Sequence, residues 1–152
     1  MKIFDIKEKL EYIKEVAILT QNEWGSIKEG QDGFNEKIDK KIKKIKESLG
    51  LNNYCKLILL DGDTLIGFIS IFPQDGSEFN NLTPWYATMY VKKEYRGFGY
   101  SKILNNAVLK EAKNRGFDKI YLKSELNNYY EKFGATYIDD LKNGEKLYYI
   151  KL

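Results

Sequence analysis

Residues 91–101, VKKEYRGFGYS, decide how this chain is read. An apolar, strand-like run, PWYATMYV (84–91), ends there in the cations Lys92, Lys93 and Arg96, then passes through Gly97 and Gly99 into a segment with helical spacing. A helix N-terminus presents unpaired N–H groups and a partial positive charge, and glycines just before it let a phosphate approach the backbone closely. Such a corner suits a pyrophosphate, with the cations adding charge at its rim.

Downstream, residues 99–114 place Ile103, Leu104, Ala107, Val108 and Ala112 at helical spacing, with Gly116 as C-cap. FDKIYLKS (117–124) reads as a strand and NNYYEKF (127–133) as a short helix stopped by Gly134. The remainder reads as a hairpin around the turn KNGE (142–145). Upstream, YCKLILL and TLIGFISIF form a hairpin turned by Asp61 and Gly62, joined to the central strand by the loop PQDGSEFNN. Two helices come first. Ile6, Leu10, Ile13, Ala17 and Trp24 predict one over 6–24, closed by Gly25; Phe34, Ile38, Ile42, Ile45 and Leu49 predict the second. The order is helix, helix, three strands, helix, strand, helix, two strands, which makes an α+β, or mixed α/β, fold around one sheet. With no repeats, low-complexity tracts or linkers, a single domain over 1–152 is expected.

A chain of 152 residues buries roughly 70% of the surface its unfolded form exposes. Its 43% hydrophobic content and two prolines argue against large-scale disorder. The net charge of +3 favours anions only mildly, so neither a nucleic-acid nor a membrane partner is expected. Cys55 is the only cysteine, which rules out an intrachain disulfide and a thiolate metal cluster and fits a reducing compartment. Histidine is absent, so Ser-His-Asp triads, Cys-His pairs and HExxH zinc sites are excluded, and no metal is expected. The N-terminus has no uninterrupted apolar run and reads as neither signal peptide nor membrane span, leaving a cytoplasmic location as the expectation.

The glycine corner lacks the GxxxxGK[ST] of a P-loop. It also fails the GxGxxG dinucleotide fingerprint, because Lys102 stands at the third glycine and Asp118 would begin a strand rather than end one. RGFGYS instead matches the [Q/R]xxGx[G/A] element of the GNAT superfamily of N-acetyltransferases, with Arg96 and Gly99 in place and Ser101 at the small position. MYVKKEYRGFGYSKIL resembles that family's central strand, pyrophosphate loop and following helix, and YYEKFGA resembles its tyrosine-bearing motif. Residues 54–152 are thereby identified as similar to a GNAT acetyltransferase of bacterial type. The resemblance implies a central, mostly antiparallel twisted sheet of six to seven strands flanked by about four helices.

It also implies an acetyl-CoA site, with coenzyme A as product. Backbone N–H groups of Arg96, Gly97, Phe98, Gly99, Tyr100 and Ser101 would hold the pyrophosphate, and Met89, Tyr90 and Val91 would pair with the pantetheine arm as an added strand. Asn127 is the nearest match to an asparagine that the family places against that arm. Acetyl transfer to an amine needs a neutral amine, a held thioester carbonyl and a proton for the departing thiolate. The thiolate of a thiol with pKa ~8.5 can take that proton from a phenol near ~10 at modest cost. By analogy Tyr130 is the donor, with Tyr129 its alternative. Glu125, at the end of the strand beside the centre of the sheet, or a water chain is the expected base, with Glu23 and Glu78 as weaker candidates.

Trp24, Trp85 and Tyr86 are candidate walls of the acceptor pocket; otherwise the tryptophans belong to the core. The acceptor is expected to be a small-molecule or peptide amine and the protein a monomer or homodimer. The lysine-rich KIDKKIKKIK (37–46) reads as a solvated helix face or, alternatively, as a docking surface for an acidic partner. A catalytically silent coenzyme A-binding module of the same fold is the competing function.

Overall fold

The structure, a computed structural model, describes residues 1–76 and 78–152. Strand β1 (Lys2–Asp5) is followed by helices α1 (Ile13–Trp24) and α2 (Phe34–Ser48), and then by strands β2 (Cys55–Asp61), β3 (Thr64–Phe72) and β4 (Trp85–Val91). Helix α3 (Tyr100–Asn114) and strands β5 (Lys119–Ser124), β6 (Ala135–Asp140) and β7 (Lys146–Lys151) complete the chain. The strands form one sheet in the order β1-β2-β3-β4-β5-β7-β6. Every neighbouring pair is antiparallel except β4 and β5.

Two expectations change. The predicted helix over 6–24 begins only at Ile13, because Lys2–Asp5 pairs with Leu57–Leu60 and two single 3-10 turns intervene. The Asp5 carboxylate caps the first turn by accepting from Lys7 N at 3.0 Å. Four residues, KIFD, are too short to display a strand period. The helix expected over 127–133 is one 3-10 turn, Tyr130–Phe133, so among the described residues three α-helices flank the sheet.

Helix α3 covers one face of the sheet with Leu104, Val108 and Ala112, while Ile13, Val16 and Ile45 of α1 and α2 cover the other. Strands β2 and β3 are thus buried on both sides, which is why YCKLILL and TLIGFISIF read as continuous apolar runs rather than alternating ones. At the rim, Arg115 of the α3 C-terminus ion-pairs with Asp5 and Glu111 and donates to Tyr54 O at 3.0 Å, tying β1 to α3. No described helix is long and apolar enough to cross a membrane.

Gly67 of β3 faces Val91 in the ladder, and a Cβ there would collide with the carbonyl oxygen of Tyr90 and lie 3.2 Å from a Leu104 methyl. Gly67→Ala is therefore expected to force β3 and β4 apart and cost about 1–3 kcal/mol, read as a lowered midpoint in urea unfolding.

Candidate active site

The sheet opens at its centre. Strands β4 and β5 meet only at Trp85↔Tyr121, with Tyr121 N donating to Pro84 O at 3.0 Å. Beyond that bridge β5 continues its pairing with β7 and β4 with β3, so the β5-facing edge of β4 from Tyr86 onward has no ladder partner among the described residues. An unpaired interior edge is a place where an extended, amide-bearing ligand adds as a strand.

β4 is also irregular on its paired side. Phe68 faces Tyr90 but Ser70 faces Ala87, so β4 carries an extra residue there. Thr88 in this bulge has φ 45°, a left-handed conformation that a β-branched residue adopts only under strain. Its hydroxyl donates to Ser70 Oγ at 2.7 Å.

Beyond β4 the chain makes one 3-10 turn (Lys93–Tyr95) and enters α3 through Gly97 (φ 85°) and Gly99 (φ 84°), Gly99 being the N-cap. Both positions demand a backbone conformation that glycine adopts without cost. The first-turn amides of α3, at Tyr100, Ser101 and Lys102, have no helical acceptor. Arg96 Nε donates to Val91 O at 2.8 Å and its guanidinium lies 5.5 Å from the Tyr90 ring, so Arg96 braces the loop against β4. Lys92, expected at the phosphate rim, is instead paired with Glu15 of α1 at 2.7 Å.

A cavity of about 330 Å³ lies at this corner. It is lined by Met89, Tyr90, Val91, Arg96, Gly97, Gly99, Tyr100 and Ser101, together with Tyr95 and Glu23, which the cofactor motif did not point to. Phe98 is 69% exposed outside the lining. Asn127 is exposed and accepts from Lys146 Nζ at 2.7 Å. Free amides, a rim cation and an unpaired strand edge suit a pyrophosphate joined to an extended amide arm.

A second cavity, of about 680 Å³, opens on the far side of the bulge. The two share neighbouring residues: Glu23 and Met89 line the first, Trp24 and Thr88 the second. Trp24, half exposed, sets its ring edge against Tyr90 at 6.2 Å. Trp85 and Tyr86 line neither cavity. Trp85 is fully buried, with Nε1 donating to Leu82 O at 2.8 Å, as its core reading had it. Tyr86 is buried at the base of the central gap, its hydroxyl unpartnered among the described residues.

Tyr130 closes that gap from the β5 side. Its ring meets Tyr86 edge-on at 5.6 Å and Tyr129 at 4.8 Å. Burial, and next the Tyr129 hydroxyl, raise its phenol above the ordinary range, so it keeps its proton at neutral pH. Glu125 is exposed and on neither lining. Glu23 is the only carboxylate on either wall among the described residues.

Lys56 was not anticipated. It is 3% exposed, lines the second cavity, and bonds through Nζ to Ser70 Oγ at 2.7 Å, the oxygen that Thr88 also meets. Burial, and then the Lys41 ammonium, push it down to about 7. One signal was available: a lysine inside an otherwise apolar strand.

The acetyltransferase (GNAT) family matches this chain over residues 20–135. N-alpha-acetyltransferase 30 of Schizosaccharomyces pombe is 37% identical over 82 residues, 51% of this chain and 54% of that protein, so the chain spans about half the length of this relative. Among solved structures, the aminoglycoside 6'-N-acetyltransferase of Enterococcus faecium superposes with a TM-score of 0.70 at 18% identity, covering 99% of this chain and 97% of that one. The PaiA N-acetyltransferase of Thermoplasma acidophilum, in complex with coenzyme A, superposes at 0.65 with 23% identity over 100% of both chains.

Proposed function

The chain belongs to the acetyltransferase (GNAT) family, and from that premise we propose that it moves an acetyl group from acetyl-CoA to a primary amine of a small molecule or peptide by direct attack in a ternary complex. The observation that carries this reading is the unpaired β4 edge, running from the central gap straight into the cavity under the free amides of α3.

The pyrophosphate is assigned to the amides from Gly97 to Ser101, supported by their unsatisfied donors, the N-terminal dipole and the glycine backbone that lets an anion close in. The pantetheine arm is assigned to the edge Met89–Val91. When bound, acetyl-CoA supplies an activated carbonyl and a thiol leaving group. Tyr130, protonated and half-buried at the gap, holds the proton for the departing sulfur. The amine proton goes to a carboxylate or a water chain; both Glu23 and Glu125 are exposed, but Glu23 lines the first cavity beside the second and is better placed for this than Glu125, which lines neither. The second cavity is the acceptor pocket, with Trp24 as one wall. We take residues 1–152 as one domain, acting in the cytoplasm as a monomer or homodimer.

Calorimetric titration with coenzyme A and acetyl-CoA tests this reading. Saturable binding with Kd below about 100 µM is expected, a free energy of roughly −5.5 kcal/mol or better. No heat from either at millimolar concentration would overturn it.

A further inference from the structure

We propose that the second cavity is an acceptor site selective for amines that also carry a carboxylate, and that it rejects polyamines and other polycations. This rests on the acetyltransferase reading for its chemistry, but the charge selection stands on the cavity itself.

The ionisable lining of that cavity is of one sign. Lys41 and Lys44 enter from α2, three residues apart and so on one helix face, and Lys56 enters from β2. No aspartate or glutamate lines it among the described residues, and none of these three lysines forms an ion pair with a described residue. Lysines elsewhere do find partners: Lys43 pairs with Glu47 and Lys92 with Glu15. The three ammonium groups also feel one another. Burial, then Lys44 and Lys37, lower Lys41, and Lys41 is the leading charge acting against Lys56.

An uncompensated positive field at a ligand-sized cavity favours anions and disfavours further cations. A carboxylate entering beside Lys41 and Lys44 relieves the repulsion. A second ammonium increases it. The rest of the lining fits a short polar amine: Asn53, Gln74 and Thr83 offer hydrogen bonds, while Trp24 and Phe72 provide apolar walls. The reacting amine is drawn to the bulge at Thr88, where the two cavities adjoin, with its acidic end held toward α2. Of the lysine-rich helix, half-buried Lys41 and exposed Lys44 line the pocket, while its other lysines line neither cavity.

The test has two arms on the intact chain. In the first, L-glutamate, L-aspartate, a tetrapeptide beginning with glutamate, glycinamide and spermidine are titrated onto protein saturated with coenzyme A. In the second, the same compounds are offered with acetyl-CoA and coenzyme A release is followed. At least one carboxylate-bearing amine is expected to bind and react about 10-fold better than glycinamide, and spermidine about 100-fold worse than the best acid. Lys41→Gln/Lys44→Gln should erase most of that preference through KM while the Kd for coenzyme A stays within about two-fold, and Lys41→Glu/Lys44→Glu should turn it toward spermidine. Preference for spermidine or glycinamide by the unaltered chain, no binding of any acid, or a preference untouched by the double variants would overturn the proposal. Failure of the parent reading looks different: coenzyme A itself would not bind, whatever glutamate does.

Discussion

Replacing Tyr130 by Phe is expected to lower turnover about 100-fold or more while leaving acetyl-CoA affinity within about two-fold. The substitution removes one hydroxyl and keeps the ring, so the edge-on contacts with Tyr86 and Tyr129 survive. What is lost is the phenol hydroxyl that the tyrosine motif sets against Tyr86 at the gap. Because burial raises that phenol, its active, protonated form persists through neutral pH, and kcat should fall only as pH rises through the elevated value. Tyr129→Phe serves as the control and is expected to change kcat less than about three-fold. Steady-state rates for both variants, with calorimetric Kd values for acetyl-CoA, decide the matter. Unchanged turnover in Tyr130→Phe would transfer the proton to water and remove Tyr130 from its role.

The largest expected change in stability comes from Lys56. A lysine held near 7 in the folded chain and near 10.5 in the unfolded one binds fewer protons folded than unfolded throughout that window. Folding therefore carries the full charging penalty below pH 7, and the penalty shrinks as pH rises toward 10.5. Lys56→Met keeps the length of the side chain, fits beside Phe68 and Phe72, and removes the penalty. It should stabilise the protein by roughly 3 to 5 kcal/mol at pH 6, with the gain fading toward zero near pH 10.5. Urea midpoints of both proteins across that range provide the check. A constant difference would mean that Lys56 is not the titrating group, and a loss at pH 6 would mean that its bond to Ser70 outweighs its burial.

That a buried cation survives at all is informative. Natural cores keep such groups where function needs them, and Lys56 sits where the bulge of β4 meets the second cavity. If the second cavity selects acidic acceptors as proposed, stability and selection pull in opposite directions at this residue. Met at position 56 should yield a sturdier protein with weaker discrimination for acidic amines.

Much of this architecture was legible in the chain because its signals are local. Gly97 and Gly99 before a helical period, and a tyrosine motif after the next strand, marked the corner and the phenol. The first cavity is built from the same short run, residues 89–101, with Glu23 added from α1. A contiguous segment can announce its own site, since neighbouring residues need no folding to be neighbours. β1 was illegible because four residues display no period, and its strand character comes from β2 lending it a ladder. Trp85 and Tyr86 show the same limit: the chain marks them as large and aromatic, but only the folded packing buries them, Tyr86 in the core that α3 covers and Trp85 against Phe79 and Tyr121.

By itself the sequence pointed to the family: no histidine, one cysteine, and a glycine corner and a tyrosine motif in the right order. Only the tertiary structure decided what the second cavity is. Its walls come from α1, α2, β2, β3 and β4, so the meeting of Lys41, Lys44 and Lys56 is a fact of distance in space, and charge interactions fall off with that distance rather than with separation along the chain.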